Sequence, residues 1–198
     1  MSDRSKKARQ KEERRQAALA RARRRRIIIW SSAVGAALII VAIIALRPVP
    51  EELSGVESFP QMGRDHLAEG EAPPDYNSTP ATSGDHSSSP ADCGIYITEI
   101  PDQVQVHNLE HGAVVIQYQP DLDQSDIQAL EAYARTKPSH ILVAPRADLD
   151  DPVVVTSWTR MLRLPTADIA TIDLYYDQFA FSGPEVGVPC PFAVDQSA

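Results

Sequence analysis

An unbroken apolar run from Ile27 to Leu46 follows directly on Arg23, Arg24, Arg25 and Arg26. Twenty helical residues rise about 30 Å, the thickness of one hydrocarbon core. Backbone polar groups find no water in lipid, so the run is expected to be a single transmembrane helix, and no later stretch competes with it. The positive-inside tendency then keeps residues 1–26 in the cytoplasm and exports everything after Leu46. A cleaved signal peptide fits less well, because the run exceeds a typical h-region and Leu46-Arg47-Pro48 offers no small-x-small cleavage site. The expected location is the cell membrane, single-pass, with the N-terminus cytoplasmic and the C-terminal domain extracytoplasmic.

Charge divides at the same boundary. Residues 1–26 carry twelve Lys or Arg against three acidic residues, a net of +9, whereas residues 47–198 carry seven against twenty-four, a net of -17. The basic tail is expected to lie against anionic lipid headgroups as a helix or disordered strip. A nucleic-acid partner is not expected, since a basic run beside a spanning helix already has a topological explanation. The acidic exported part argues against polyanionic partners and is compatible with attracting cations.

The exported part has about 150 residues, enough for one domain of ordinary core size. All sixteen prolines lie beyond the membrane run. The expected organisation is a basic cytoplasmic tail (1–26), a transmembrane helix (27–46), a linker (47–56), an extracytoplasmic domain (57–192) and a C-terminal tail (193–198). The stretch from Glu57 to about Pro90 is rich in Pro, Ser, Gly and Asp and reads as long loops. Beyond it, Ile95–Ile97, Val104–Val106, Ala113–Gln119, Ser139–Val143 and Val153–Trp158 read as strands. One helix is expected after Asp123 or Ser125, with Ile127, Leu130 and Tyr133 or Ala134 on its apolar face and Pro138 blocking its continuation. A second is expected after Thr166, with Ile169, Ile172, Leu174, Tyr176 and Phe179 inward, ending at Gly183-Pro184. This order predicts an α+β ectodomain, a mixed sheet with two packed helices, preceded by the transmembrane helix. A thioredoxin-like core could share the order, but a CxxC pair is absent.

Cys93 and Cys190 are the only cysteines. In an oxidising compartment the simplest expectation is that they pair; the rival reading makes one a thiolate metal ligand. The densest chemical signal is His107-Asn108-Leu109-Glu110-His111-Gly112. On one helical turn His107 and His111 share a side, and in an extended segment they also share a face while Glu110 points away. The HxxEH spacing matches the inverted zinc-protease motif, yet Gly112 and the strand after it leave no room for a long active-site helix. His66 and His86 lie in the long loop. With His107, His111 and Glu110 they could furnish a copper or zinc site, and Met62 is a candidate soft ligand for Cu(I). His140, at the head of an apolar strand, reads as structural. Ser87–Ser89 beside His86 lack the GxSxG elbow of a serine hydrolase.

The series GRDHLAEG, YNSTPATSGDH, CGIY, VHNLEHGAVVIQYQPD, ILVAP, PVVVTSW and VPC resembles the bacterial membrane-anchored domain of unknown function family 3105, over about residues 57–192. The resemblance implies that His66, His86, His107, Glu110 and His111 occupy the family's motif positions, and that Cys93 and Cys190 are its cysteine pair. One departure is SSSPADCG after His86, where relatives often place an aromatic residue. The resemblance implies no reaction.

The leading expectation is thus a membrane-tethered extracytoplasmic metal-binding domain for copper or zinc, more a binding protein than an enzyme. The alternatives are a non-catalytic cell-envelope interaction module whose histidines are structural, and a metal-dependent hydrolase with Glu110 as base.

Overall fold

Val114–Tyr118 is buried along its whole length, and a strand buried on both faces requires a sheet covered on both sides. The computed structural model describes residues 53–196, and the architecture follows from that requirement. The expected tail and transmembrane helix of residues 1–46 lie outside the described residues. Among the described residues, no helix is long and apolar enough to cross a membrane.

The chain forms β1 (Val56–Ser58), β2 (Cys93–Ile95), α1 (Asp102–Glu110), β3 (Val114–Tyr118), α2 (Gln124–Thr136), β4 (Ile141–Pro145), β5 (Val153–Ser157), β6 (Arg160–Leu164), α3 (Ile169–Phe179) and β7 (Phe192–Asp195). The seven strands make one sheet in the order β1-β6-β5-β3-β4-β2-β7. β1, β6, β5 and β3 are joined antiparallel, whereas β3-β4, β4-β2 and β2-β7 are parallel. The parallel pair β3-β4 needs a crossover, which α2 supplies. β5 and β6 turn directly through Trp158 and Thr159, the latter at φ 60°.

Side-chain alternation along β3 divides the core. Val114, Ile116 and Tyr118 pack with Leu130, Tyr133 and Ala134 of α2 and with Ile172, Tyr175 and Tyr176 of α3. Val115 faces the other way, into a cluster with Leu142, Ala144, Trp158 and Val106 and Leu109 of α1. Each such side chain, fully buried, contributes roughly 1.5–3 kcal/mol. Over the described residues the fold is therefore α+β with a mixed sheet, as expected, but with three helices rather than two.

Val104–Val106, expected as a strand, lies inside α1. Its alternation imitates a strand, yet Pro101 and Gly112 bracket the segment as helix start and stop, and Val106 and Leu109 then fall on one helical face. α3 starts later than expected: Asp168, not Thr166, is the cap, accepting from the Thr171 backbone N–H (3.2 Å). Leu174 is 44 % exposed, because Ile172, Tyr175, Tyr176 and Phe179 already complete the i, i+3, i+4, i+7 face. β2 ends at Ile95, leaving Ile97 60 % exposed. β1 takes in Val56 from the expected linker, and β7 takes in residues 193–195 of the expected C-terminal tail. β6, which was not expected, carries buried Met161, Leu162 and Leu164.

Cys93 and Cys190 are disulfide-bonded with Cα atoms 5.6 Å apart and 97 residues between them in sequence number. The bond joins the start of β2 to the segment entering β7. In the chain-entropy model a loop of that length contributes about 4 kcal/mol. The variant Cys93→Ala/Cys190→Ala is accordingly expected to lose about 2–5 kcal/mol in urea unfolding, and a loss below 1 kcal/mol would show that the sheet needs no such tie.

A candidate metal centre on the α1 face

α1 is unusual in burying polar side chains. Gln105, His107, Asn108 and Glu110 are all sealed, because the long loop from Phe59 to Asp92 is laid over the helix. Asn108 and Asp102 are two of the side chains that hold that loop. Asn108 donates from Nδ2 to the Ala91 carbonyl (2.7 Å) and accepts from the Ala91 N–H (3.0 Å). Asp102 accepts from the Ala81 N–H (3.1 Å) and from Gln105 Nε2 (2.9 Å). Asp102 is itself held by Arg146 at the end of β4, through Nη1 (2.6 Å) and Nη2 (3.0 Å). The Arg146 side chain is 4 % exposed and also bonds Asp148. Burial disfavours that guanidinium's charge, but its bonds to Asp102 and Asp148 outweigh burial and raise its pKa.

Within the loop, His66 and His86 form a parallel bridge. The His86 N–H donates to the Asp65 carbonyl (3.0 Å), and the Leu67 N–H donates to the His86 carbonyl (2.8 Å). The histidine pair of the loop thus meets the helix. His66, His86, His107 and Glu110 each offer one ligand atom, all within 4.8 Å of one another. Of the four only His66 is exposed. The His66 and His107 rings stack at 5.0 Å between centroids, and the His86 ring stands edge-on to both.

The ring nitrogens have definite roles. His86 Nδ1 donates to the Gly84 carbonyl (2.8 Å) and His107 Nδ1 to the Ser87 carbonyl (2.7 Å). A carbonyl only accepts, so each ring carries a proton on Nδ1 and turns Nε2 toward the other side chains of the group. Burial, opposed by the Ser87 bond and reinforced by the other histidines, pushes the His107 imidazolium down, favouring the neutral ring. His86 Nε2 lies 3.0 Å from Oε2 of Glu110, yet it is fully buried and makes no hydrogen bond. The other carboxylate oxygen, Oε1, accepts from Arg64 Nε (2.8 Å).

His111 does not join this group. It caps α1 one turn beyond His107, the helical alternative of the sequence reading. A second group holds His107, His111 and Glu185. His111 Nε2 donates to Oε2 of Glu185 (3.0 Å) and lies 3.0 Å from His107 Nε2. The helix can end there because Gly112, at φ 86°, makes the left-handed turn, with Ala113 N–H reaching back to the Asn108 carbonyl (2.9 Å). The segment 181–185 then wraps the helix end: Phe181 N–H donates to the Gly112 carbonyl (2.7 Å) and Glu185 N–H to the Glu110 carbonyl (3.0 Å). Gly183 permits that approach, since a Cβ there would stand 2.1 Å from the Glu110 carbonyl oxygen.

Sequence reasoning missed Glu185 and Arg64, whose neighbours in sequence carry no ligand pattern. The sulfur of Met62 accepts from the Asn77 N–H (3.2 Å). His140 is structural as expected, with Nε2 donating to the Val188 carbonyl (3.0 Å) and its ring against Phe181. The disulfide removes both thiols from consideration as ligands.

The family model described as a protein of unknown function, DUF3105, matches residues 68–191, which takes in every residue of both groups except His66. No curated protein and no solved structure matches the chain.

Substituting Gly183→Ala is expected to cost about 1–3 kcal/mol in urea unfolding and to shift the imidazole NMR signals of His111 while leaving those of His66 unmoved; unchanged His111 signals would disprove the wrapping. Asp148 supplies a pH test. Its hydrogen bond to Arg146 holds its carboxyl below the usual range, so the folded state binds this proton less readily than the unfolded chain. The bond's contribution is present above about pH 4 and is lost as pH falls through the folded value. Asp148→Asn should therefore flatten the acid limb of the stability curve, and a parallel curve would contradict it.

Proposed function

This chain belongs to the DUF3105 family, whose description assigns no activity, and we propose that it is a membrane-tethered extracytoplasmic domain that binds one zinc or copper ion through His66, His86, His107 and Glu110. The observation that carries the reading is His86 Nε2, a fully buried ring nitrogen without a hydrogen bond, in a space shared with two other imidazoles and a carboxylate. A buried polar atom left without a partner costs roughly 1–3 kcal/mol, and a cation bound there by the neutral ring would satisfy it. The supporting shell is of the kind metal sites use: two ligating rings are fixed by backbone carbonyls at Nδ1, and the carboxylate is oriented by Arg64.

The donor set bears on the ion. Three imidazole nitrogens and one carboxylate oxygen, with neither thiolate nor thioether, suit Zn(II) or Cu(II) better than Cu(I). Tetrahedral bonds of about 2.0–2.1 Å place ligand atoms roughly 3.4 Å apart, so a separation of up to 4.8 Å asks for a modest contraction, with exposed His66 free to move. The hydrolase alternative is weaker. One oxygen of Glu110 is on Arg64 and the other is among the ligand atoms, which leaves neither for activating water.

The tether and its orientation rest on the Ile27–Leu46 run and the basic residues before it. Anionic lipid is then the partner of the cytoplasmic tail, and the acidic exported domain draws cations toward the site.

The test is elemental mass spectrometry of the full chain, purified in mild detergent, after incubation with Zn(II) or Cu(II) and desalting. About one metal per chain is expected for the wild type, with retention reduced about tenfold or more in His86→Ala and in the exposed-site variant His66→Ala. A wild-type chain that retains no metal would end the reading.

A further inference from the structure

Two ligand groups share one side chain. His107 belongs both to the inner group, with His66, His86 and Glu110, and to an outer group with His111 and Glu185. Its Nδ1 is committed to the Ser87 carbonyl (2.7 Å), so it has a single nitrogen to offer. One lone pair binds one ion, and the two groups therefore cannot both be filled through His107.

We propose, resting on the metal-binding reading above, that the domain holds one ion at a time in either of two overlapping positions, and that Glu185 and His111 form the loading station from which the ion passes to the inner position through His107. The ligand atoms lie in a relay. Glu185 Oε2 is 3.0 Å from His111 Nε2, which is 3.0 Å from His107 Nε2, which faces the inner group. Exposure falls along it: the Glu185 side chain is 51 % exposed, that of His111 10 %, and His86 is sealed.

Chemistry gives the relay a direction. An exposed carboxylate can meet a hydrated cation without first losing its own surroundings, whereas buried imidazoles require the ion to shed water. The outer position offers two nitrogens and one oxygen, the inner three nitrogens and one oxygen, so the inner holds the ion more tightly. The spacing between the two positions is fixed by the backbone. Glu185 hangs by its N–H from the carbonyl of Glu110, the residue that supplies the inner carboxylate, and its distance from the inner position does not depend on a flexible loop. A rival route exists through exposed His66, and it makes the opposite kinetic forecast.

Co(II), whose visible absorption reports its coordination, is the probe, used with the full chain in mild detergent. The wild type is expected to bind one Co(II) at saturation. Glu185→Gln, at an exposed position, should leave the equilibrium affinity within about threefold while slowing stopped-flow loading and chelator-driven release by about tenfold or more. His66→Ala should still bind one Co(II), more weakly and with a different spectrum, and that residual binding should disappear when Glu185→Gln is added.

Two Co(II) per wild-type chain would overturn the proposal, because His107 would not be shared. Unchanged rates in Glu185→Gln would overturn it in favour of entry past His66. A loss of affinity in Glu185→Gln as large as in His66→Ala would mean one fused site without a relay. In each of these cases the metal-binding reading survives, whereas absence of Co(II), Zn(II) and Cu(II) from the wild type would remove both.

Discussion

Arg146 is a guanidinium with almost no access to water, and a buried cation is tolerated only where carboxylates meet it. Asp102 is the one that matters most for the rest of the molecule. By accepting two of the guanidinium's protons it fixes the first turn of α1 to the end of β4, and its Oδ1 also receives the Ala81 N–H of the overlying loop. The sheet, the helix and the loop therefore meet at a single charge. Two of the histidine positions are referred to that node: His107 rides on α1 five residues further on, while His86 lies five residues beyond Ala81 in the loop.

The division of labour between the two faces of the sheet follows from the same arrangement. The face covered by α2 and α3 is conventional apolar packing, in which Tyr133, Tyr175 and Tyr176 supply bulk. The α1 face has less apolar material and is held by hydrogen bonds to backbone, those of Asn108 and Asp102 above all. Polar burial of this kind stabilises little on balance but is exacting in geometry, since a misplaced partner leaves a desolvated group unmatched. A face built that way suits a site that must hold four side chains in register.

Much of the sheet was legible because β3, β4 and β5 are apolar runs bounded by turn residues, and α2 displays its face at i, i+3 and i+4. α1 was misread for a physical reason. Its Val104 and Val106 alternate like strand residues, and apart from Val106 and Leu109 its buried positions are polar, so hydrophobic periodicity carries little helical signal there. β7 and β1 are short edge strands whose pairing depends on distant partners, β2 and β6, rather than on their own composition. His66, His86, His107 and Glu110 were singled out by residue type alone and do lie together, whereas His111 lies in a second group with His107 and Glu185, because i, i+4 spacing gives proximity to His107 and not to the rest. Glu185 had no local signal. It reaches the site because Gly183 lets a distant segment close on the end of α1.

The disulfide divides the candidate ligands in a way the sheet does not. Cys93 and Cys190 close a covalent ring that contains His107, Glu110, His111 and Glu185, while His66 and His86 stand on the chain outside it. Viewed as a graph, the loop from Phe59 to Asp92 is a branch, joined covalently to the ring at Cys93 and elsewhere laid on it by hydrogen bonds. An ion bound at the inner position adds an edge between branch and ring. The molecule then has two cross-links of different character, one permanent under oxidising conditions and the other reversible with ion supply. Metal occupancy would change the connectivity of the chain as well as the chemistry of the site, and the branch is the part whose attachment answers to the ionic composition of its surroundings.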